Sequence, residues 1–411
     1  MRPDASIVTV GTELTEGLRL DTNTQEIAAT LTTAGYHVIE AVSIGDDSPA
    51  LEAALSRLCA RDALVVVTGG LGPTHDDITR GAAARALALP LVRDGALERL
   101  LAPWAEQHRE PGAARQVLTQ ADLLEGARVI RPTTGTASGQ IVTTSSGAVL
   151  VLLPGPPAEM RPMLAEALAV VPTGVPASAP PRELGCIGLS ESDAQLRAQR
   201  ALEHVPGVRL TLLAKPADIR VVLLDGGGGA AALDRAVELV ERELGEHCYS
   251  ADGATLPETL VAAARTRGVS MATAESCTGG LVAAAITQVA GSSEVFLGSV
   301  VAYANEAKID LLGVAKATLD AHGAVSARCV EEMASGARAR LSSDVAVAVT
   351  GIAGPTGGSP AKPLGLVWFG VALPDGSVRS QERRLAGDRG GVRSRATVVA
   401  LDLLRRAVLD S

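Results

Sequence analysis

The chain has 411 residues, too many for one hydrophobic core, so two or more domains are expected. Hydrophobic residues make up 47%, charged residues 20% and aromatics 2%, a globular composition whose cores must be built from Ala, Val and Leu. A formal charge of −9 with so few aromatics lacks the phosphate-neutralising patch and the stacking platforms of a nucleic-acid binder. Five scattered cysteines without a CxxC exclude a disulfide framework and a zinc ribbon. The start, MRPDASIVTVGTEL, has no charged-then-apolar signal pattern, and apolar runs such as Val149–Leu153 are too short to span a bilayer. A cytoplasmic, reducing location is expected, with no membrane partner.

In chain order, Ser6–Val10 reads as a strand ending at Gly11, Thr24–Ala34 as a helix, and His37–Ile44 as a strand. Pro49–Ala60 reads as a helix, and Ala63–Thr68 as a buried strand running into Gly69 and Gly70. Ala148–Leu153 is a later strand that meets Pro154-Gly155-Pro156-Pro157. Strand–helix alternation with glycines at the carboxyl ends of strands predicts a parallel α/β sheet with its ligand beyond those ends. Val171–Pro181, rich in Pro, Ala and Ser, looks like a domain boundary.

A small αβ segment follows, with helices at Leu189–Arg200 and Ala231–Leu244 and a strand at Ile219–Leu224. The run Gly226–Gly229 lacks the Lys-Ser/Thr of a P-loop and reads as a flexible connector. Tyr249–Pro257 looks like a second linker. From about Glu258 the α/β rhythm restarts. Val269–Ala274, Ser299–Ala304, Val345–Thr350 and Leu366–Ala372 read as strands, and Thr278–Val289 as a helix. Ser326 reads as the N-cap of a helix to about Leu341, and a final helix runs from about Gly391 to Leu409. The expected domains are 1–172, 182–250 and 256–411.

"MATAESCTGG" places Ser276 and Cys277 where a strand turns into a helix. Such a residue is expected to be exposed at the top of the sheet, with the N–H groups of the helix start facing an oxyanion or phosphate. The bland alternative is that Ser276 caps the helix and Cys277 packs as a small apolar residue. "VAYANEAK" carries Tyr303, Asn305 and Lys308, "AVTGIAGPTGG" is a glycine-rich turn after a buried strand, and "LAGDRGGVRSRA" gathers Arg389, Arg393 and Arg395 near a helix start. Arginines there oppose the helix dipole, so anion recognition is the better reading. No histidine lies in these motifs; a lysine of lowered pKa can serve as the base for a serine.

Together "AESCTGG", "GSSEVFLGSVVAYANEAK", "VTGIAGPTGG", "KPLG" and "GDRGGVR" resemble the carboxyl-terminal domain of the CinA family, a nicotinamide-nucleotide amidohydrolase. The resemblance implies an αβα domain that hydrolyses the carboxamide of nicotinamide mononucleotide (NMN) to nicotinate mononucleotide and ammonia, without a cofactor, in pyridine-nucleotide salvage. It implies Ser276 as nucleophile, Lys308 as base or base partner, and Tyr303 and Thr350 in the catalytic surroundings. It places Cys277, Thr278, Gly279, Asn305, Gly351, Ile352, Ala353, Gly354, Arg389 and Arg393 around the substrate. Cys277 is the alternative nucleophile.

In the first half, "VVVTGGLGPTHDDIT" follows a buried strand, and its N–H groups can cradle an anion while Asp76 and Asp77 hold a divalent cation. The bland reading is a turn with a solvated aspartate pair. With "VGTELTEGLRLDTN", "IGDD" and "VLLPGPPAEM", the stretch resembles the CinA amino-terminal domain, which is similar to the MoaB/Mog molybdopterin-binding fold. The resemblance implies metal-dependent ADP-ribose pyrophosphatase activity or pterin binding, with a metal of unknown identity. The implied ligand site is Glu13, Asn23, Asp46, Gly69, Gly70, Gly72, Thr74, Pro154 and Gly155, with Asp21 at a neighbouring strand end. Where the family usually reads "GTAPGF", this chain has Gly135-Thr136-Ala137-Ser138-Gly139-Gln140, so a stacking surface for a base is expected to be lost. The family tends to be dimeric. The rival readings are a non-enzymatic nucleotide- or pterin-binding scaffold and a DNA-associated competence factor, the latter opposed by the charge.

Overall fold

The computed structural model describes residues 2–107, 110–171 and 179–411. Most of the expected Val171–Pro181 boundary lies outside the described residues. The chain divides into two compact units, Met1–Ser178 and Ala179–Ser411.

Among the described residues of the first unit, a six-stranded sheet runs in the order His37–Ile44, Asp4–Val10, Leu64–Thr68, Val149–Leu153, Gly139–Thr143, Arg128–Ile130. The first four strands are parallel and the last two join antiparallel, so the sheet is mixed. No helix separates the three strands at that edge, so each reverses directly onto its neighbour. The central strands are buried at every position, and apolar except for Thr68, because both faces are covered. Val65 and Val67 pack with Leu51, Leu55 and Leu58 of the helix Ser48–Arg61, while Leu64 and Val66 pack with Ile27 and Leu31 of the helix Asn23–Thr33. Register sets Thr9 beside Thr68 and Thr68 beside Leu153, which brings the turns at Gly11, Gly69 and Pro154 to one edge.

The second unit holds two sheets. The smaller is antiparallel, in the order Val208–Lys215, Asp218–Asp225, Arg182–Cys186, Cys248–Ser250. The expected second linker is therefore partly ordered structure: Tyr249 is buried in a strand, and Thr255 with Glu258 forms a capping box on the helix Leu256–Arg267. The four-glycine run is a turn folded onto Asp225, whose carboxylate accepts from Gly227 and Gly229 N–H at 2.8 and 3.0 Å.

The larger sheet runs Phe296–Val301, Met271–Glu275, Val345–Gly351, Leu366–Ala372, Val378–Arg384, the first three parallel and the rest antiparallel. The VAVAV pattern separates its two faces. Val345, Val347 and Val349 meet the helices Leu256–Arg267 and Arg389–Asp410, whereas Ala346 and Ala348 meet the helix Ala327–Leu341. The small residues let that helix lie close. A Cβ on Gly370 would stand 2.6 Å from Val330 O, and one on Gly336 1.9 Å from Leu312 O. Among the described residues no helix is long and apolar enough to cross a membrane.

Candidate functional site

In the second unit the parallel strands end side by side. Glu275 pairs with Val301 and Val349, Ser276 N–H donates to Val349 O at 2.9 Å, and Ala302 N–H donates to Glu275 O at 2.8 Å. Ser276, the Ala302–Tyr303 segment and Thr350–Gly351 thus share one carboxyl edge.

The helix after Ser276 starts later than its sequence suggests, at Leu281, and ends at Thr287. Gly279 and Gly280 take left-handed φ of +61° and +96°, which makes Ser276–Gly280 a turn instead of a helical one. Ser276 does not cap that helix. The fully buried Glu275 does: its carboxylate accepts from Gly280, Val282 and Ala283 N–H at 2.8, 3.2 and 2.8 Å. The helix start is therefore occupied by the protein's own carboxylate and is not an open anion site. Ser276 itself is only 8% exposed, against the expectation of an exposed residue.

Lys308 is 1% exposed, on the helix Asn305–Leu312. Its Nζ donates to Ala302 O at 3.0 Å and Tyr303 O at 3.1 Å. Burial pulls the amine below the ordinary lysine value, opposed by neighbours that include the Cys329 and Cys277 thiols and Tyr303. Two carbonyls match the two hydrogens of a neutral amine and leave its lone pair unspent. Among the described residues Ser276 Oγ and Lys308 Nζ share no hydrogen bond. Burial pushes the Cys277 thiol up to about 11, so it stays protonated near neutral pH and is a poor nucleophile.

The remaining expected residues divide by role. Arg389 spans the rim, donating to Gly354 O at 2.8 Å and to Tyr303 Oη at 3.0 Å, and both side chains are solvent-exposed. Asn305, the first residue of the helix Asn305–Leu312, is exposed. Arg393 instead clamps the nucleophile turn, donating to Cys277 O at 3.1 Å and Thr278 O at 2.9 Å. Thr350 is buried and donates to Ala324 O. Ile352 bonds the strand Leu366–Ala372 through its N–H, and Ala353 and Gly354 are buried beside it. The sequence reading missed the role of Glu275, although the residue stands inside the quoted "AESCTGG".

In the first unit, every expected ligand residue lines one cleft of about 420 Å³: Glu13, Asn23, Asp46, Gly69, Gly70, Gly72, Thr74, Asp76, Asp77, Pro154 and Gly155. Asp21 lines it too, its carboxyl held below the usual range because donors from Thr24, Thr9 and Ser43 outweigh burial. Asp77 builds the glycine loop. It accepts from Gly72 N–H at 2.6 Å, Thr74 N–H at 2.7 Å and Thr74 Oγ1 at 2.6 Å, and a Cβ on Gly72 would strike it. Asp77→Ala is expected to cost about 1–2 kcal/mol of the first unit's stability, read by urea unfolding; unchanged stability would deny that it orders the loop.

Sequence reading missed Gln120 and Glu159, which line the same cleft; burial pushes the Glu159 carboxyl up. Gln140, where the family has an aromatic, is buried and accepts from Leu124 N–H at 2.9 Å. The substitution falls beside the neighbouring strand and not on the cleft wall, so the expected loss of a stacking surface does not follow. Among the described residues no group of three or more His, Cys, Asp or Glu side chains is placed to hold a metal. The donors therefore do not form a resident metal site, and no step is derived through one.

These folds and clefts define an α/β protein with a molybdopterin-binding-type first domain. The family description "Probable molybdopterin binding domain" matches residues 6–173, and "CinA C-terminal domain" matches 253–408. A protein of Symbiobacterium thermophilum named as competence-damage inducible is 41% identical, over 98% of this chain and 99% of its own length. A CinA-like protein of Fervidobacterium nodosum is 36% identical over 98% of each chain. A solved CinA superfamily structure from Klebsiella pneumoniae is 36% identical, covers 38% of this chain and 97% of its own, with a TM-score of 0.37. The chain belongs to the CinA family.

Proposed function

We propose that the second unit is a serine amidohydrolase that converts NMN to nicotinate mononucleotide and ammonia. The observation that carries this reading is the buried Lys308 amine, held by two carbonyls, at the strand edge that presents Ser276. Ser276 Oγ attacks the carboxamide carbon as Lys308 takes its proton. Collapse of the tetrahedral intermediate expels ammonia, which leaves with the proton from Lys308. Water, deprotonated by the same amine, then attacks the acyl-serine carbonyl, and the proton held by Lys308 returns to Ser276 Oγ as the nicotinate product leaves. Arg389, exposed at the rim beside Tyr303, would meet the ribose phosphate.

The test is ammonia release from NMN by the metal-free chain; no release sinks the assignment. Lys308→Met is expected to lower kcat by at least about 10²-fold with little change in KM, and a pure KM effect would make Lys308 a binding residue. The amine acts as base only when neutral. The rate should therefore rise with pH through the Lys308 pKa and level off below the ordinary lysine value of 10.5. A flat profile from pH 6 to 9 with full activity in Lys308→Met would remove the lysine from the mechanism.

A second reading concerns the first unit, because eleven expected residues meet in one cleft. We infer that it binds a diphosphate-bearing nucleotide or pterin. Any divalent cation would arrive on those phosphates. Binding of ADP-ribose without turnover would favour the scaffold reading over a pyrophosphatase.

A further inference from the structure

The first-unit cleft contains an amide that the fold leaves unused. Gln120 follows the helix Pro111–Thr119 and is 2% exposed. Its backbone is fixed on both sides: Gln120 N–H donates to Val117 O at 3.2 Å, and Ala121 O accepts from Asp94 N–H at 2.9 Å. The residue lines the cleft, and its amide is buried there with neither Nε2 nor Oε1 partnered among the described residues. Gln140, buried nearby in sequence, shows the contrast, because its amide is spent on Leu124 N–H and Asp122 O.

A second amide on the same cleft carries a directional signal. Asn23 Nδ2 donates to Thr68 Oγ1 at 3.1 Å and Gly155 O at 2.8 Å. These two acceptors fix the amide orientation, since a flipped oxygen would face the Gly155 carbonyl. Asn23 Oδ1 is then a buried acceptor without a partner, also on the cleft. Unpaired buried polar atoms are costly and call for a reason. Three of them, on two residues that line one cleft, are the complement of a ligand.

We propose that Gln120 is the specificity-determining residue of this cleft, its amide pairing with a nitrogen heterocycle that offers a donor and an acceptor side by side on one ring edge. Asn23 Oδ1 takes a further donor from the same ligand. The proposal rests on the reading of the cleft as a diphosphate site and adds the recognition of the ring. An adenine edge and a pterin edge both carry the required pair.

The full chain and Gln120→Leu are titrated by calorimetry with ADP-ribose, with 6-hydroxymethylpterin diphosphate and with inorganic pyrophosphate, which has no ring. The wild type should bind a ring probe more tightly than pyrophosphate, and which ring wins identifies the source. Gln120→Leu should weaken that ring probe by about tenfold or more and leave pyrophosphate unchanged. Its ligand-free Tm should hold or rise, because leucine has similar size and no unpaired polar atoms. A merely structural amide would lower Tm and weaken all probes alike, and that result overturns the proposal. So does unchanged ring affinity in the variant. Failure of the wild type to bind any probe overturns the cleft reading itself, and the ring recognition with it.

Discussion

Ser276→Ala is expected to remove ammonia release from NMN by at least about 10³-fold in kcat, with the chain still folded. Among the described residues Ser276 Oγ makes no hydrogen bond, so alanine deletes no structural contact. The turn is held by other groups: Ser276 N–H on Val349 O, Gly279 N–H on Ser276 O, and Arg393 on the carbonyls of Cys277 and Thr278. NMN binding should persist, because the rim groups Arg389 and Tyr303 are untouched. Cys277→Ala in the same assay should keep most of the activity, since its thiol is pushed up to about 11 and is almost fully protonated at neutral pH. Activity lost only in the cysteine variant would keep the reaction and move the nucleophile by one residue. Full activity in Ser276→Ala would sink the serine mechanism.

The parts of this architecture legible in the sequence are those where one local pattern decides. Leu64–Thr68 and Val345–Gly351 are short, mostly apolar runs that end at glycines, and helix caps such as Ser326 have their own signature. Gly139–Thr143 and Arg182–Cys186 are interior strands that the sequence reading missed, and several of the other missed strands are edges. Val378–Arg384, with the sequence VRSQERR, is a polar edge strand whose charges discourage pairing with another chain. Val208–Lys215 alternates half-buried and exposed positions at the rim of the small sheet. The three-residue strands Leu91–Arg93 and Asp122–Leu124 are too short for any period to register.

The site shows the same limit. Residue type pointed to Ser276 and Lys308, but side-chain direction did not follow from spacing. Arg393 was expected on the substrate and instead holds backbone carbonyls, because its helix begins beside the turn it braces. Gln120 sits in no motif that periodicity marks, and its unpaired amide becomes visible only when the strands close around the cleft.

Glu275 carries the other large expected effect. Its side chain is fully buried and holds three N–H groups of the following turn and helix, the most exacting polar contact at this edge. Glu275→Ala would leave one buried and two part-buried donors unpaired, so the second unit should lose roughly 2 kcal/mol or more in urea unfolding. The loss should reach the chemistry as well. The strand that ends in Glu275 continues directly into Ser276, so a helix start without its carboxylate would no longer fix the turn against Val349. Glu275→Gln separates the two consequences. It keeps the shape and one acceptor oxygen while turning an N–H₂ toward a backbone donor, so it should cost less stability than alanine but still slow ammonia release. Wild-type stability in Glu275→Ala would mean that the turn stands without its cap. Wild-type kcat in a folded Glu275→Gln would mean that Ser276 is positioned by the strand and Arg393 alone.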